Sequence, residues 1–519
     1  MSNVNPPAKA TRREWIGLAI IALPCMVYAM DLTVLNLALP AISAELDPSA
    51  SQLLWIVDVY GFLVAGFLIT MGTLGDRIGR RRLLLIGAAA FAAASVIAAF
   101  SRSAEMLIAM RALLGVAGAT LAPSTMSLIR NMFHDEHERQ FAIGVWIAAF
   151  SVGGAIGPLV GGLLLQWWWW GAAFLAAVPV MVLLLLLGPK LLPEYRDPDA
   201  GALDPLSMVQ SLFSVLAVVY GLKRIAEYGT DARGIAVLLV GLALGVLFVR
   251  RQKHLAYPFL DVTLFRRPAF SAAIVAYALA GLSMMGVYIF MTQYLQLVLG
   301  LTPLQAGIAT VPWSLCFTVG SLLAPRLARH WGARRVMVRG LLLAAVGFGI
   351  TALVVPPYGL WILIAGMLAM SLGMAPVFTV GNELIITTAP AERAGAASAL
   401  AETSAELSGA LGIAVLGSLG MLAYRLWLDP ALPTSLADAD TTRALSTLGG
   451  AVAVGGELGG AAGVAVVDTA RTAFTGAMRA IAVFGMAMML LAAWMAARLM
   501  RDGEGEAPVA VVAEDAAGA

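Results

Sequence analysis

The sequence predicts an all-α membrane protein of fourteen spans: two pseudo-symmetric six-helix bundles and a pair of linker helices, arranged around a central cavity. Three observations predict it. Of 519 residues, 60% are hydrophobic and only 12% charged, far from the balance of a soluble globular domain. Apolar segments of about 20 residues, enough to cross roughly 30 Å of hydrocarbon as helices, recur along the whole chain. Motifs in the first half return in the second at an offset of about 254 residues, as expected of a transporter-like internal repeat.

The spans are expected near 15–41, 52–73, 83–100, 105–128, 141–165, 172–188, 206–225, 233–249, 269–292, 304–325, 337–355, 358–386, 395–422 and 473–498. Lys9, Arg12 and Arg13 before the first run resemble a signal peptide, but the run is long and many more follow, so it reads as an uncleaved first helix. Of the 33 basic residues, 24 fall at the N-terminus, the C-terminus and the alternate loops on their side. Eight fall on the opposite side, and Arg111 lies inside a span. The excess of Lys and Arg marks the cytoplasmic side, so both termini are expected there.

The repeat divides the chain. GTLGDRIGRRR at 72–82 aligns with PRLARHWGARR at 325–335, sharing Gly79 and Gly332 and the basic run after each. SVGGAIGPLVGG at 151–162 aligns with ELSGALGIAVLG at 406–417. The expected parts are an N-terminal bundle (1–190), a linker with two helices (191–268) and a C-terminal bundle (269–501), followed by a disordered cytoplasmic tail (502–519). Within the C-terminal bundle, 424–472 is rich in Gly, Ala and Asp and reads as a long outer loop, with room for a short hairpin or amphipathic turns. Cys25 and Cys316 fall in apolar spans far apart, which points to packing rather than a disulfide.

A charge near the middle of a spanning helix costs about 2.5–3.5 kcal/mol on insertion scales, so it faces a cavity, a partner or water. Asp31, in YAMDLTVLNLALP, is such a group; Asp58, in WIVDVYGF, is a second, about one turn into its helix. Glu402 and Glu406 are four residues apart and share one helix face, about 6 Å apart along the axis. Two carboxylates that close in a poorly hydrated cavity do not both ionise cheaply, so the pair exchanges protons near neutral pH. A cation entering the cavity favours the ionised form, and competition between proton and cation is the minimum an antiporter needs. Glu383, in VGNELI near a cytoplasmic helix end, is a weaker candidate of the same kind. In GTLGDRIGRRR the glycines Gly72 and Gly79 permit a tight turn, Asp76 can face a helix N-terminus, and Arg77 and Arg80 stay at the inner surface.

These residues carry a resemblance. GTLGDRIGRRR resembles the signature loop between the second and third helices of the major facilitator superfamily. RALLGVAG at 111–118 is similar to its fourth-helix motif, and GGAIGPLVGG at 153–162 to the fifth-helix motif of its proton-driven exporters. MDLTVLNLALP at 30–40 and TAPAERAGAASALAET at 388–403 resemble segments of the fourteen-span drug:proton antiporter-2 family, which includes exporters of quaternary ammonium compounds, dyes and fluoroquinolones. The likeness runs from about Arg12 to Arg501. It implies that Asp76, Arg77 and Arg80 belong to an inner latch and that Arg111 couples protonation to the conformational change. It further implies that Gly153, Gly157, Pro158 and Gly161 let the fifth helix bend and pack against the other half. Asp31, Asp58, Glu402 and Glu406 would be the proton- and cation-binding carboxylates. Two departures stand out: Arg329 occupies the place of Asp76 in the second loop, and the tenth helix holds no acid.

Other signals carry less. HDEHER at 134–139 lies in a short loop without a matching cluster, so no metal site is expected. WWWW at 167–170 reads as an aromatic belt. No HExxH, phosphate loop or dinucleotide fingerprint occurs, so the chain reads as no enzyme and needs no cofactor beyond a proton gradient. The expected function is proton-coupled export of lipophilic cationic drugs, antiseptics and dyes by alternating access. The setting is a bacterial cytoplasmic membrane, with protons, small-molecule cations and lipid as partners, no nucleic acid, and a monomeric state. A dedicated exporter of an endogenous metabolite or antibiotic is the alternative, and a non-transporting membrane sensor a second one.

Overall fold

A bilayer offers no water to backbone N–H and C=O groups, so a spanning chain pairs them within each segment, as helix. The computed structural model describes residues 9–196, 204–228, 231–255, 262–355, 359–388, 394–433 and 436–500. The first half comprises α1 (Arg12–Leu46), α2 (Ala50–Ile78), α3 (Arg80–Ala99), α4 (Ala104–Gly118), α5 (Leu121–Met132), α6 (Glu136–Trp167), α7 (Ala172–Leu175) and α8 (Val178–Leu191). The linker hairpin is α9 (Pro205–Tyr228) and α10 (Ala232–Gln252). The second half comprises α11 (Pro268–Gln293), α12 (Pro303–Trp331), α13 (Ala333–Ala352), α14 (Gly359–Thr388), α15 (Ala394–Leu428), α16 (Asp438–Ser446), α17 (Leu448–Leu458) and α18 (Gly460–Leu499).

Fourteen segments among the described residues are long and apolar enough to span. Two of them are broken helices: α4 gives way to α5 where the Thr120 hydroxyl donates to the Ala117 carbonyl at 2.7 Å, and α7 and α8 together form the sixth span. "Terminal end" below denotes the end of the bundle holding Arg12 and Leu499, and "far end" the other.

The repeat seen in the sequence has a structural basis. Gly79 and Gly332 take φ values of 111° and 82°, the region L side chains avoid, and each reverses the chain into a basic helix start. In the first half a Cβ on Gly153 of α6 would collide with the Met26 carbonyl of α1; in the second, a Cβ on Gly412 of α15 would collide with the Leu282 carbonyl of α11. Each half thus closes by the same backbone-to-backbone approach of its first and fifth spans.

The halves meet along two seams, α6 against α12 and α2 against α15, where Gly307 abuts Pro158, Gly61 abuts Ala410 and Gly417 abuts Leu54. A π-helical turn at Tyr294–Val298 aims Gln296 across the gap, where its amide donates to the Leu37 carbonyl at 3.0 Å. These contacts lie at mid-membrane or toward the far end, and Glu402 and Glu383 near the terminal end are exposed. The inter-half space therefore opens toward the terminal end.

Two expectations are corrected. The stretch 424–472 is largely helical rather than loop: α15 continues to Leu428, α16 and α17 cross the far end, and α18 begins at Gly460. Small residues permit this, with Gly455 on Gly463 and Gly449 on Ser43. Arg443 fastens the layer through Asp47 at 2.8 Å and Glu457 at 2.9 Å. The glycines of the fifth-span motif also do not face the other half. Gly153, Gly157 and Gly161 pack on Met26, Thr33 and Val34 of α1, while Pro158 and the neighbouring Gly162 meet α12; the three glycines recur every four residues and so share one helix face. Residues 389–393, within the motif at 388–403, and the tail 502–519 lie outside the described residues.

Because overpacking a close helix crossing costs about 1–3 kcal/mol, Gly153→Ala and Gly412→Ala are expected to lower the Tm of the detergent-solubilised protein by several degrees. Gly154→Ala, with nothing within 4 Å of the added Cβ, is the control and should leave it unchanged.

Candidate functional site

Asp31 projects from the middle of α1 toward α4. There Arg111 is 1% exposed, and its guanidinium reaches an Asp31 oxygen at 2.6 Å and the Ile56 carbonyl at 3.0 Å. The guanidinium also lies 4.5 Å from the centre of the Tyr60 ring. A buried charge without a partner is prohibitive and a paired one is tolerable, so the two residues that the sequence places 80 positions apart explain one another.

Asp58 has a partner that sequence reasoning missed. Lys223, on linker helix α9, puts its ammonium 2.8 and 3.0 Å from the two Asp58 oxygens and 4.0 Å from the centre of the Trp55 ring. The two side chains are 1% and 0% exposed. Counting basic residues by loop assigned Lys223 to the water; α9 continues to Tyr228 and holds it in the protein. The signal was available, since Lys223 falls inside the expected span 206–225.

Glu406 lies on α15, across the space from α1, and accepts a hydrogen bond from the Tyr28 hydroxyl at 2.8 Å. Its partner is thus a phenol rather than a base. Tyr28 packs on Tyr60 with ring centres 5.9 Å apart, and the buried Tyr60 hydroxyl has no hydrogen-bond partner. A chain of contacts follows: Asp31 to Arg111 by ion pair, Arg111 to Tyr60 and Tyr60 to Tyr28 through their rings, Tyr28 to Glu406 by hydrogen bond. The first four members belong to one half and the last to the other. Tyr28 and Tyr60, three residues before Asp31 and two after Asp58, were not singled out because a tyrosine in an apolar run reads as core. Glu402 is exposed one turn nearer the terminal end, and Glu383 is exposed on α14 and does not line the cavity.

That cavity occupies about 360 Å³ between the halves, within the usual range for small-ligand sites. Asp58, Arg111 and Glu406 line it together with Asn36, and its second-half wall carries Tyr277, Phe317, Phe378, Met284 and Met285. Tyr277 and Phe378 stand edge to face, 4.8 Å apart. Such a wall can hold a flat apolar cation by its ring faces, and the thioethers adapt to shape. A larger cavity of about 860 Å³ lies between α2, the linker hairpin and the other face of α15, but its lining carries Arg250 and Lys253 and no carboxylate. Its charge is wrong for a cation.

The signature loop holds the first half together in this conformation. Asp76 pairs with Arg80 at 2.5 Å, Arg80 also donates to the Pro123 carbonyl at 3.3 Å, and the backbone N–H of Arg81 donates to Glu194 at 3.1 Å. Gly79 is buried against Glu194, Gly72 sits beside Pro123, and Arg77 is exposed. These contacts join α2 and α3 to each other, to α5 and to the segment after α8, inside one half. Cys25 and Cys316 are both free, Cys25 beside Thr125. Trp167, Trp168 and Trp169 are exposed at the far end, whereas Trp170 is buried and donates to Glu45 at 2.7 Å.

Comparison with known proteins agrees with this architecture. The sequence model of the Major Facilitator Superfamily matches residues 21–413. The chain is 44% identical over 481 residues to the multidrug efflux pump LfrA of Mycolicibacterium smegmatis, covering 93% of this chain and 95% of that protein. It is 35% identical to the methyl viologen resistance protein SmvA of Salmonella typhimurium, covering 93% and 98%. It is 31% identical to the tetracenomycin C resistance and export protein of Streptomyces glaucescens, covering 80% and 77%. Among solved structures, a bacterial homolog of the human lysosomal transporter Spinster, inward-facing and occupied, superposes with a TM-score of 0.64 at 19% identity, covering 95% of this chain and 98% of that one. A chain with two such halves, two inserted linker helices and these relatives belongs to the major facilitator superfamily of membrane transporters.

Proposed function

We propose that this protein is a proton-coupled exporter of lipophilic cations, including drugs, antiseptics and dyes, working by alternating access in a bacterial cytoplasmic membrane. The observation that carries the proposal is Glu406. Among the described acids lining the central cavity, Asp58 is joined to a lysine, while Glu406 is joined to a tyrosine and faces an aromatic wall. A proton or a cation can neutralise it, and not both at once. The relatives named for multidrug efflux and methyl viologen resistance support drugs and cations as cargo. Those named for export of single natural products support a second reading, a dedicated exporter of one endogenous compound.

In the conformation open at the terminal end, which the excess of Lys and Arg assigns to the cytoplasm, a cation settles against the wall that Tyr277 and Phe378 form and takes the place of the Glu406 proton. After the halves rock, a proton arriving from the far side releases it. The path through Tyr28 and Tyr60 to Arg111 and Asp31 conveys the charge change to the first half: a proton on Asp31 frees Arg111 to rearrange. One charge across 100 mV is worth about 2.3 kcal/mol and one pH unit about 1.4 kcal/mol, so one or two protons per cycle sustain a substantial drug gradient. Glu402, one turn nearer the opening, serves as the port through which protons and cations reach Glu406.

Cells expressing the protein should extrude ethidium, and an uncoupler should stop them. Glu406→Gln should reach the membrane in normal amount and lose resistance, and Asp31→Asn, which leaves Arg111 unpaired, should lose resistance and lower the amount of protein in the membrane; full resistance in either variant would remove that residue from the cycle, and extrusion indifferent to an uncoupler would remove the proton. If a panel of chemically diverse cations is ignored and one natural product moved, the second reading holds.

Tyr28→Phe takes away the hydrogen bond that favours the charged form of Glu406. The proton then competes better, and half-maximal ethidium binding to the purified protein should move to higher pH by about one to two units, since a hydrogen bond to a charged group contributes about 1.5–3 kcal/mol. An unmoved pH profile would show that the Tyr28 contact plays no part in the exchange.

A further inference from the structure

The lateral cavity takes no part in the cation exchange, yet it is the larger of the two spaces beside α15, at about 860 Å³. Its walls come from α2, the hairpin of α9 and α10, α11 and α15. Protein interiors hold few voids larger than a water molecule, and an empty space of this size forfeits the packing contacts of every side chain around it. Phe62, Leu212, Val215, Phe248 and Leu407 make the walls apolar, so water is a poor filling. A hydrocarbon chain is a good one, and it has a way in: Leu242 and Val246, at the cavity on α10, are half exposed on the lipid-facing side of the hairpin.

The end of α10 decides which lipid. This helix runs toward the terminal end and finishes in a cluster of bases. Arg251 is held by Asp204 at 2.9 Å, whereas Arg250 and Lys253 are exposed and border the cavity, about one helical turn apart. No acid lines the cavity among the described residues. Two cations at the mouth of an apolar slot between spanning helices are the pattern that receives an anionic headgroup. Deeper on the wall, the Thr403 hydroxyl is buried without a hydrogen-bond partner and can donate to an ester carbonyl.

We propose that the lateral cavity is a binding site for one anionic phospholipid of the leaflet at the terminal end, with its acyl chains between α2, the linker hairpin and α15 and its phosphate on Arg250 and Lys253. The bound lipid fills the gap that the hairpin leaves against the two halves. The same two bases turn lipophilic cations away from this space, so the lipid does not compete with cargo for its seat. The site is independent of what the central cavity carries.

Native mass spectrometry of the full-length protein, released from nanodiscs of equal parts phosphatidylglycerol and phosphatidylcholine, tests this by identifying the lipid that stays bound. Two bases at a headgroup favour an anionic lipid by at least about tenfold, so the wild type should retain one phosphatidylglycerol with that preference over phosphatidylcholine. Arg250→Gln with Lys253→Gln should bring the two lipids close to parity. Lys9→Gln with Arg12→Gln removes the same charge at the same end from equally exposed positions and should leave the preference intact. Ala278→Phe keeps both bases and puts a ring into the cavity; it should lose the bound lipid. Equal retention of phosphatidylcholine by the wild type, or an undiminished preference in Arg250→Gln with Lys253→Gln, would overturn the proposal. Lipid retained in full by Ala278→Phe would reduce the interaction to surface charge and overturn the cavity as its site.

Discussion

The pairing of Arg111 with Asp31 is the constraint on which the rest of the first half depends. Neither charge can exist alone at mid-membrane, because a lone buried ion is worth several kcal/mol of destabilisation. Bringing α4 close enough to α1 for a 2.6 Å contact fixes what surrounds it. Gly115 lets α4 approach the Tyr60 carbonyl of α2, Gly118 makes room for the Tyr28 and Tyr60 rings, and Gly153 brings α6 onto α1. The small residues around the pair are the means by which two charged side chains meet without water, and the tyrosines left between it and the second half give it a route to Glu406.

Helix α15 divides the interior. One face carries Ala405, Glu406, Gly409 and Ala410 into the central cavity; the other carries Leu400, Thr403, Ser404 and Leu407 into the lateral one beside the linker hairpin. The central cavity is lined by Asp58 and Glu406 with Arg111, the lateral one by Arg250 and Lys253 without an acid, so the two spaces differ in charge although a single helix separates them. The linker helices take part in this. They close the lateral space and are tied at both ends by ion pairs, Asp204 with Arg251 at 2.9 Å and Asp231 with Arg224 at 2.8 Å. Arg251 and the Ser207 hydroxyl hold the Asp204 carboxyl below its usual range. Through Lys223 they also reach the central site itself.

Much of this was legible in the sequence. Span number, the two halves and the linker pair follow from apolar length and from the recurrence of Gly79 in Gly332, because both are properties of local composition. The acids followed from the cost of burying charge, which needs no knowledge of the partner. The partners themselves were not legible. Asp31 with Arg111, Asp58 with Lys223 and Glu406 with Tyr28 are contacts across 80, 165 and 378 residues, set by helix packing and not by spacing. The glycines of the fifth-span motif were read as facing the other half; only the packing shows that they face α1 and that Pro158 and Gly162 make the seam. The far-end segment 424–472 looked like loop because Gly and Ala are poor in side-chain contacts, and it is the closeness they permit that makes it helical.

The central claim is that one carboxylate, Glu406, exchanges a proton for a cation. Mixing ethidium with purified protein in weakly buffered solution near neutral pH and following a pH-sensitive dye tests it without any need for transport. The account predicts release on the order of one proton per cation bound, abolished in Glu406→Gln. Binding without proton release by the wild type, or release undiminished in Glu406→Gln, would contradict it.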